Sequence, residues 1–77
     1  MRTRNDDKWA IRPYSKKELA LGYAPELTAG GAVKRLGMWM KYNQQLWDEL
    51  LRCGYRPRQK LFTPQQVEII FRFLGEP

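Results

Sequence analysis

The sequence predicts a mainly α domain: four short helices with a minor two-stranded β ribbon. Three observations carry this expectation. Apolar residues recur at spacings of three and four in three separate stretches, the period of a helix face. A hydroxyl or Asn residue stands just ahead of each helical stretch, where its oxygen can accept from an orphan N–H of the first turn. One device also occurs twice: an aromatic residue, a hydroxyl residue, two others, then Glu or Gln. The copies are Tyr14, Ser15 and Glu18, and Phe62, Thr63 and Gln66. Each ends a short extended stretch and opens a helix, so the two stretches are expected to pair.

In chain order, residues 1–8 are polar and mixed in charge, and read as a flexible N-terminal arm. Residues 9–77 read as one compact domain. In residues 9–14, Trp9, Ile11 and Tyr14 are expected to face inward. Pro13 has no N–H to give a ladder, so a strand here is an edge or stops there. Ser15 opens a helix over 15–22 with capping-box spacing: its hydroxyl accepts from the Glu18 N–H, and the Glu18 carboxylate returns to the Ser15 N–H. Gly22 is expected to end it. Pro25 places a turn in 23–27.

Thr28 caps a second helix over 28–42, with Ala29, Ala32, Val33, Leu36, Trp39 and Met40 on its apolar side. Asn43 breaks the chain and caps a third helix, 43–53, with Leu46, Trp47, Leu50 and Leu51 facing in and Gly54 just past its end. Leu61-Phe62 is the second strand. Thr63, Pro64 and Gln66 form a second capping start, with Pro at the first helical position. Val67, Ile70, Phe71 and Leu74 give the cleanest apolar stripe. Glu68 and Arg72 are expected to pair across one outer turn, and Gly75 ends the helix.

Composition narrows the function. With 77 residues the chain holds one core. It has no His and a single Cys, which excludes a His-based triad, a His general base, an intramolecular disulfide and a Cys/His zinc site. No apolar run is long enough to cross a membrane, and no apolar segment follows the basic start as a secretion signal would need. A cytoplasmic, reducing location is the expectation. No cofactor and no catalysis are expected. Cys53 lies beside Arg52, where a thiolate gains some support, but no base or oxyanion site accompanies it; it reads as a small apolar packing residue. The three Trp residues read mainly as core.

The net charge is +6, from 14 basic and 8 acidic side chains. Residues 1–60 carry 13 of the basic and 6 of the acidic ones, and residues 61–77 carry 1 and 2. That places the charge away from the last helix. A short capped helix, a turn and a second helix make a helix-turn-helix pattern. In it the second helix would present Thr28, Lys34 and Arg35 to a groove of double-stranded DNA, with Arg35 suited to guanine edges and Lys34 to phosphate. Arg56, Arg58 and Lys60 sit on a Pro-stiffened loop without acids, placed like a wing that tracks the backbone.

Residues 12–20 (Arg-Pro-Tyr-Ser-Lys-Lys-Glu-Leu-Ala), then Ala32-Val33-Lys34-Arg35-Leu36 with Trp39, resemble the opening of MerR-type and excisionase-type winged-helix DNA-binding domains. The resemblance extends to residues 54–67 as the second strand and following helix. It implies Lys34 and Arg35 near the DNA groove and residues 56–60 near the wing. The extra helix 43–53 and the lack of a long dimerisation helix depart from that pattern. Over its whole length the chain resembles a family of short gut-bacterial domains of unknown function, in residues 12–20, 54–67 and 74–77. That resemblance brings a compact domain and no activity. The expected function is therefore a non-enzymatic DNA-binding domain. The alternative is a protein-interaction adaptor that offers a partner protein an exposed aromatic or apolar face.

Overall fold

The computed structural model describes residues 9–77. The expected arm, 1–8, lies outside the described residues. The elements follow in the order β1 (Tyr14–Ser15), α1 (Lys16–Tyr23), α2 (Ala29–Tyr42), α3 (Gln44–Arg52), β2 (Leu61–Phe62) and α4 (Pro64–Leu74). The domain is mainly helical, with four helices and one two-stranded antiparallel sheet that sets Tyr14 opposite Phe62 and Ser15 opposite Leu61. Joined through residues 24–28, α1 and α2 form a helix-turn-helix-like pair.

The expected caps on α2, α3 and α4 are in place. The Thr28 hydroxyl accepts from the Gly31 N–H at 3.2 Å, and the Asn43 side chain from the Leu46 N–H at 3.1 Å. Thr63 and Gln66 complete a reciprocal box at the start of α4. At Ser15 only half of the expected box forms. Its hydroxyl accepts from the Glu18 N–H at 3.0 Å, but the Glu18 carboxylate turns to Arg12, 3.2 Å away. Arg12 reaches it because the chain folds back before β1, with the guanidinium 3.9 Å from the centre of the Tyr14 ring.

Gly22 does not end α1, which runs to Tyr23 and is released at Ala24, where Pro25 disfavours a helical conformation. Instead, Gly22 receives the Trp9 ring: a Cβ there would stand 2.5 Å from it. Gly54 does sit past the end of α3 at φ +91°, a left-handed conformation in which glycine has no steric penalty.

The core runs between the ribbon and all four helices. Phe62, Leu19, Leu46, Leu50, Val67 and Ile70 are its largest fully buried apolar members. Aromatic rings join the ribbon to the helices: Tyr55 stacks on Phe62 with centroids 5.8 Å apart, and Trp47 meets Tyr55 edge-on at 5.7 Å. Three expected inward residues stand exposed instead. Pro13 confines β1 to two residues, leaving Ile11 outside the ladder; Leu51 lies beyond the edge of the α3 stripe; and Trp39 lies on the outer side of α2. Arg72 pairs with Glu49 of α3 at 3.4 Å rather than with Glu68.

Candidate functional site

Three segments that are distant in sequence border one groove of about 460 Å³. Its apolar strip is Val33 of α2, Pro57 and Leu61 of β2. Lys16 and Lys17 from the first turn of α1 and Lys60 flank that strip.

The loop 55–60 has a defined shape. The Gln59 N–H donates to the Arg56 carbonyl at 3.0 Å, closing a turn with Pro57 at its second position, where the fixed φ of proline fits. The Arg56 N–H in turn donates to Gln59 Oε1 at 2.9 Å. Gln59 Nε2 donates to the Leu61 carbonyl at 2.6 Å and to Gln66 Oε1 at 2.7 Å. Gln66 Oε1 also accepts from the Thr63 N–H at 3.1 Å. Gln66 is only 2 % exposed, so the loop is pinned to the start of α4 through a buried amide.

Lys16 holds the other side. Its ammonium donates to the Pro57 carbonyl at 2.7 Å, and its backbone N–H to the Lys60 carbonyl at 2.9 Å. The ammonium also lies 4.9 Å from the Tyr55 ring centre. Burial lowers the Lys16 pKa from the ordinary lysine value. Burial likewise pushes the Tyr55 phenol up to about 12.

Arg56, Arg58 and Lys60 are exposed on this braced turn. Lys34 is exposed on α2 next to groove-lining Val33, and Lys41 follows it two turns on. Arg35 is rotated a further ~100° about the helix axis, and its guanidinium lies 3.2 Å from Glu26. The fold therefore brings Lys60 to the groove, leaves Arg56 and Arg58 exposed on the turn that contributes Pro57 to it, sets Lys34 one residue from groove-lining Val33, and turns Arg35 toward Glu26. Thr28 is exposed at the start of α2, with its hydroxyl oxygen engaged as the cap. Among the described residues the ion pairs are Arg12–Glu18, Arg35–Glu26 and Arg72–Glu49, and none involves Lys16, Lys17, Lys34, Arg56, Arg58 or Lys60.

Sequence reasoning missed Lys16, Lys17 and the Gln59–Gln66 pin. A usable signal did exist for the lysines. Two adjacent cations in the first turn of a helix oppose its dipole and gain nothing from it locally. The Gln pair had no such signal, because its partners come from separate segments.

A second surface lies on the far side of α2. Met38, Trp39 and Tyr42 are exposed there, Tyr42 to 80 %. Trp39 meets Tyr23 edge-on at 6.0 Å and, with Leu74, borders a shallow depression of about 550 Å³. The Tyr23 hydroxyl donates to the Gly75 carbonyl. Cys53 is half-buried, and its thiol donates to the Leu50 carbonyl at 3.4 Å. Burial, with a smaller contribution from the Glu49 charge, raises its pKa, which disfavours the thiolate despite the neighbouring Arg52. Among the described residues no group of three His, Cys, Asp or Glu side chains is placed to hold a metal ion. No helix there is long and apolar enough to cross a membrane.

Fold and site together define a small four-helix domain whose two-stranded ribbon and first two helices frame a lysine-flanked groove. The chain belongs to the family described as Domain of unknown function (DUF4248), whose model matches residues 10–77. No curated protein and no solved structure matches it.

Proposed function

We propose that this is a non-enzymatic, cytoplasmic bacterial DNA-binding domain of the helix-turn-helix or winged-helix kind. Its second helix, α2, lies against a groove of duplex DNA, and the 55–60 turn follows the phosphate backbone. The observation that carries the reading is that Lys16, Lys17 and Lys60 line one groove, with Arg56 and Arg58 exposed on the turn that contributes Pro57 to it and Lys34 exposed one residue from Val33. In this reading Arg56, Arg58 and Lys60 meet phosphates, which gives affinity without sequence choice. Lys34 meets phosphate from α2, Thr28 and the start of α2 approach a phosphate oxygen, and Arg35 exchanges Glu26 for a base edge.

A titration of the whole chain with duplex DNA over a range of salt tests this. Affinity should fall steeply with salt. Arg56→Ala with Arg58→Ala should flatten the log–log slope by about two, since each phosphate contact contributes roughly 0.9. Absence of binding to any duplex at low salt ends the reading.

The second reading, a protein-interaction adaptor, is favoured by the exposed Met38–Trp39–Tyr42 face. It predicts that Trp39→Ala with Tyr42→Ala abolishes capture of a partner protein while duplex binding stays unchanged.

A further inference from the structure

Duplex phosphates are met by charged and polar donors, so they leave the apolar lining of the groove unused. Here the recess is apolar, made by Val33, Pro57 and Leu61, and the lysines stand along its border. Leu61 is 59 % exposed although it sits in the ribbon opposite Ser15. Exposing a leucine beside two other apolar side chains leaves an uncovered strip, and burying it against a partner is favourable.

The border has one sign. Lys16, Lys17 and Lys60 meet no carboxylate among the described residues. Lys16 and Lys17 stand at the end of α1 where the helix dipole also favours a negative group. Of the three donors on the Lys16 ammonium, the Pro57 carbonyl takes one, leaving the others for an acceptor in the groove. An occupant must therefore combine an apolar side chain with negative charges on either side of it. The groove is partly open to solvent, which lets a chain seated in it continue beyond it.

We infer that this groove receives an extended acidic segment of a partner protein, seating an apolar side chain on Val33, Pro57 and Leu61 and carboxylates against Lys16, Lys17 and Lys60. The inference shares Lys16, Lys17 and Lys60 with the DNA reading and differs from it in the apolar strip, which duplex binding does not use.

The probe is a short fluorescein-labelled peptide of alternating Glu and Leu, titrated with the full chain and read by anisotropy. Binding is expected. Replacing the peptide's Leu by Ser should weaken it roughly tenfold or more, the factor that goes with burying one leucine side chain. Leu61→Ser in the domain should do the same, and the peptide-side change needs no folding control. Lys17→Gln with Lys60→Gln should weaken binding and remove most of its salt dependence. Gln65→Ala, exposed on α4, should leave it unchanged.

The proposal is overturned if the Ser peptide binds as well as the Leu peptide, if Leu61→Ser has no effect in a folded domain, or if nothing binds at low salt. It is also overturned if duplex DNA, and not the peptide, shifts the amide resonances of Val33 and Leu61. A domain that binds the peptide but no duplex loses the DNA reading alone.

Discussion

The two corners where a strand feeds a helix are written alike and built differently. At β2–α4 the hydroxyl of Thr63 and the amide of Gln66 close a reciprocal box. Gln66 is buried there and also receives Gln59. At β1–α1 the Ser15 hydroxyl makes its bond, while Glu18 leaves for Arg12 at the surface. The difference lies in burial. A buried amide cannot exchange its partners for water, so each one must be met inside. An exposed carboxylate loses little by choosing a neighbouring guanidinium. One corner is thus committed to holding the fold, and the other leaves its lysines facing the groove.

Substitutions at the two corners sharpen this contrast. The largest effect is expected on the ribbon itself. Phe62 is fully buried, and Phe62→Ala should cost roughly 3–5 kcal/mol in a denaturant melt. Tyr14→Phe, at its ribbon partner, removes only the bond from the Tyr14 hydroxyl to the Ala10 carbonyl and should cost about 1 kcal/mol.

Next comes Gln66→Ala, which strands the Thr63 N–H and one donor of Gln59. A loss of about 1–3 kcal/mol is expected. It should be accompanied by faster amide exchange at Gln59, and no change at Gln59 would refute the pin.

The groove-side aromatic has a signature in alkali. Tyr55 ionises at 10.0 in its ordinary state and at about 12 in the fold because burial opposes the phenolate. Its contribution is fully present below pH ~10, where both states are neutral. It is lost as pH rises through the folded value, because the unfolded chain then releases a proton more readily. Thermal melts should fall in this window, and Tyr55→Phe should flatten the fall.

A smaller contrast is expected between the caps. Thr63→Ala should cost about 1 kcal/mol and Ser15→Ala less, because the former also disrupts the box. Smallest of all, Glu18→Gln removes an ion pair whose two members are about half exposed. Less than about 1 kcal/mol is expected, vanishing at high salt.

What was legible in the sequence follows the same division. Thr28, Asn43, Thr63 and Gly54 act on neighbours within a few residues, and the structure uses each as its local pattern implies. The four helices and the pairing of the two short strands also follow from local spacing and the repeated device. Residues whose partners come from elsewhere were not legible. Glu18 depends on the fold-back that brings Arg12, Arg72 on the distance to α3, and Gly22 on where the Trp9 ring lands. At the candidate site, the exposure of Arg56, Arg58 and Lys60 could be read from an acid-free loop. The separation of Lys34 from Arg35 follows from helix geometry, but which side meets the groove needed the position of β2.

That position carries a kinetic consequence. Ser15 and Leu61 pair across the whole of α1, α2 and α3. Local helices form in about a microsecond, whereas closing so long a loop carries an entropic cost that grows with its length. The recess beside Lys16 thus comes into being only when the two distant segments meet, and is among the last features to assemble. A chain that has not yet brought Leu61 to Ser15 has no recess, so whatever occupies it recognises a finished fold.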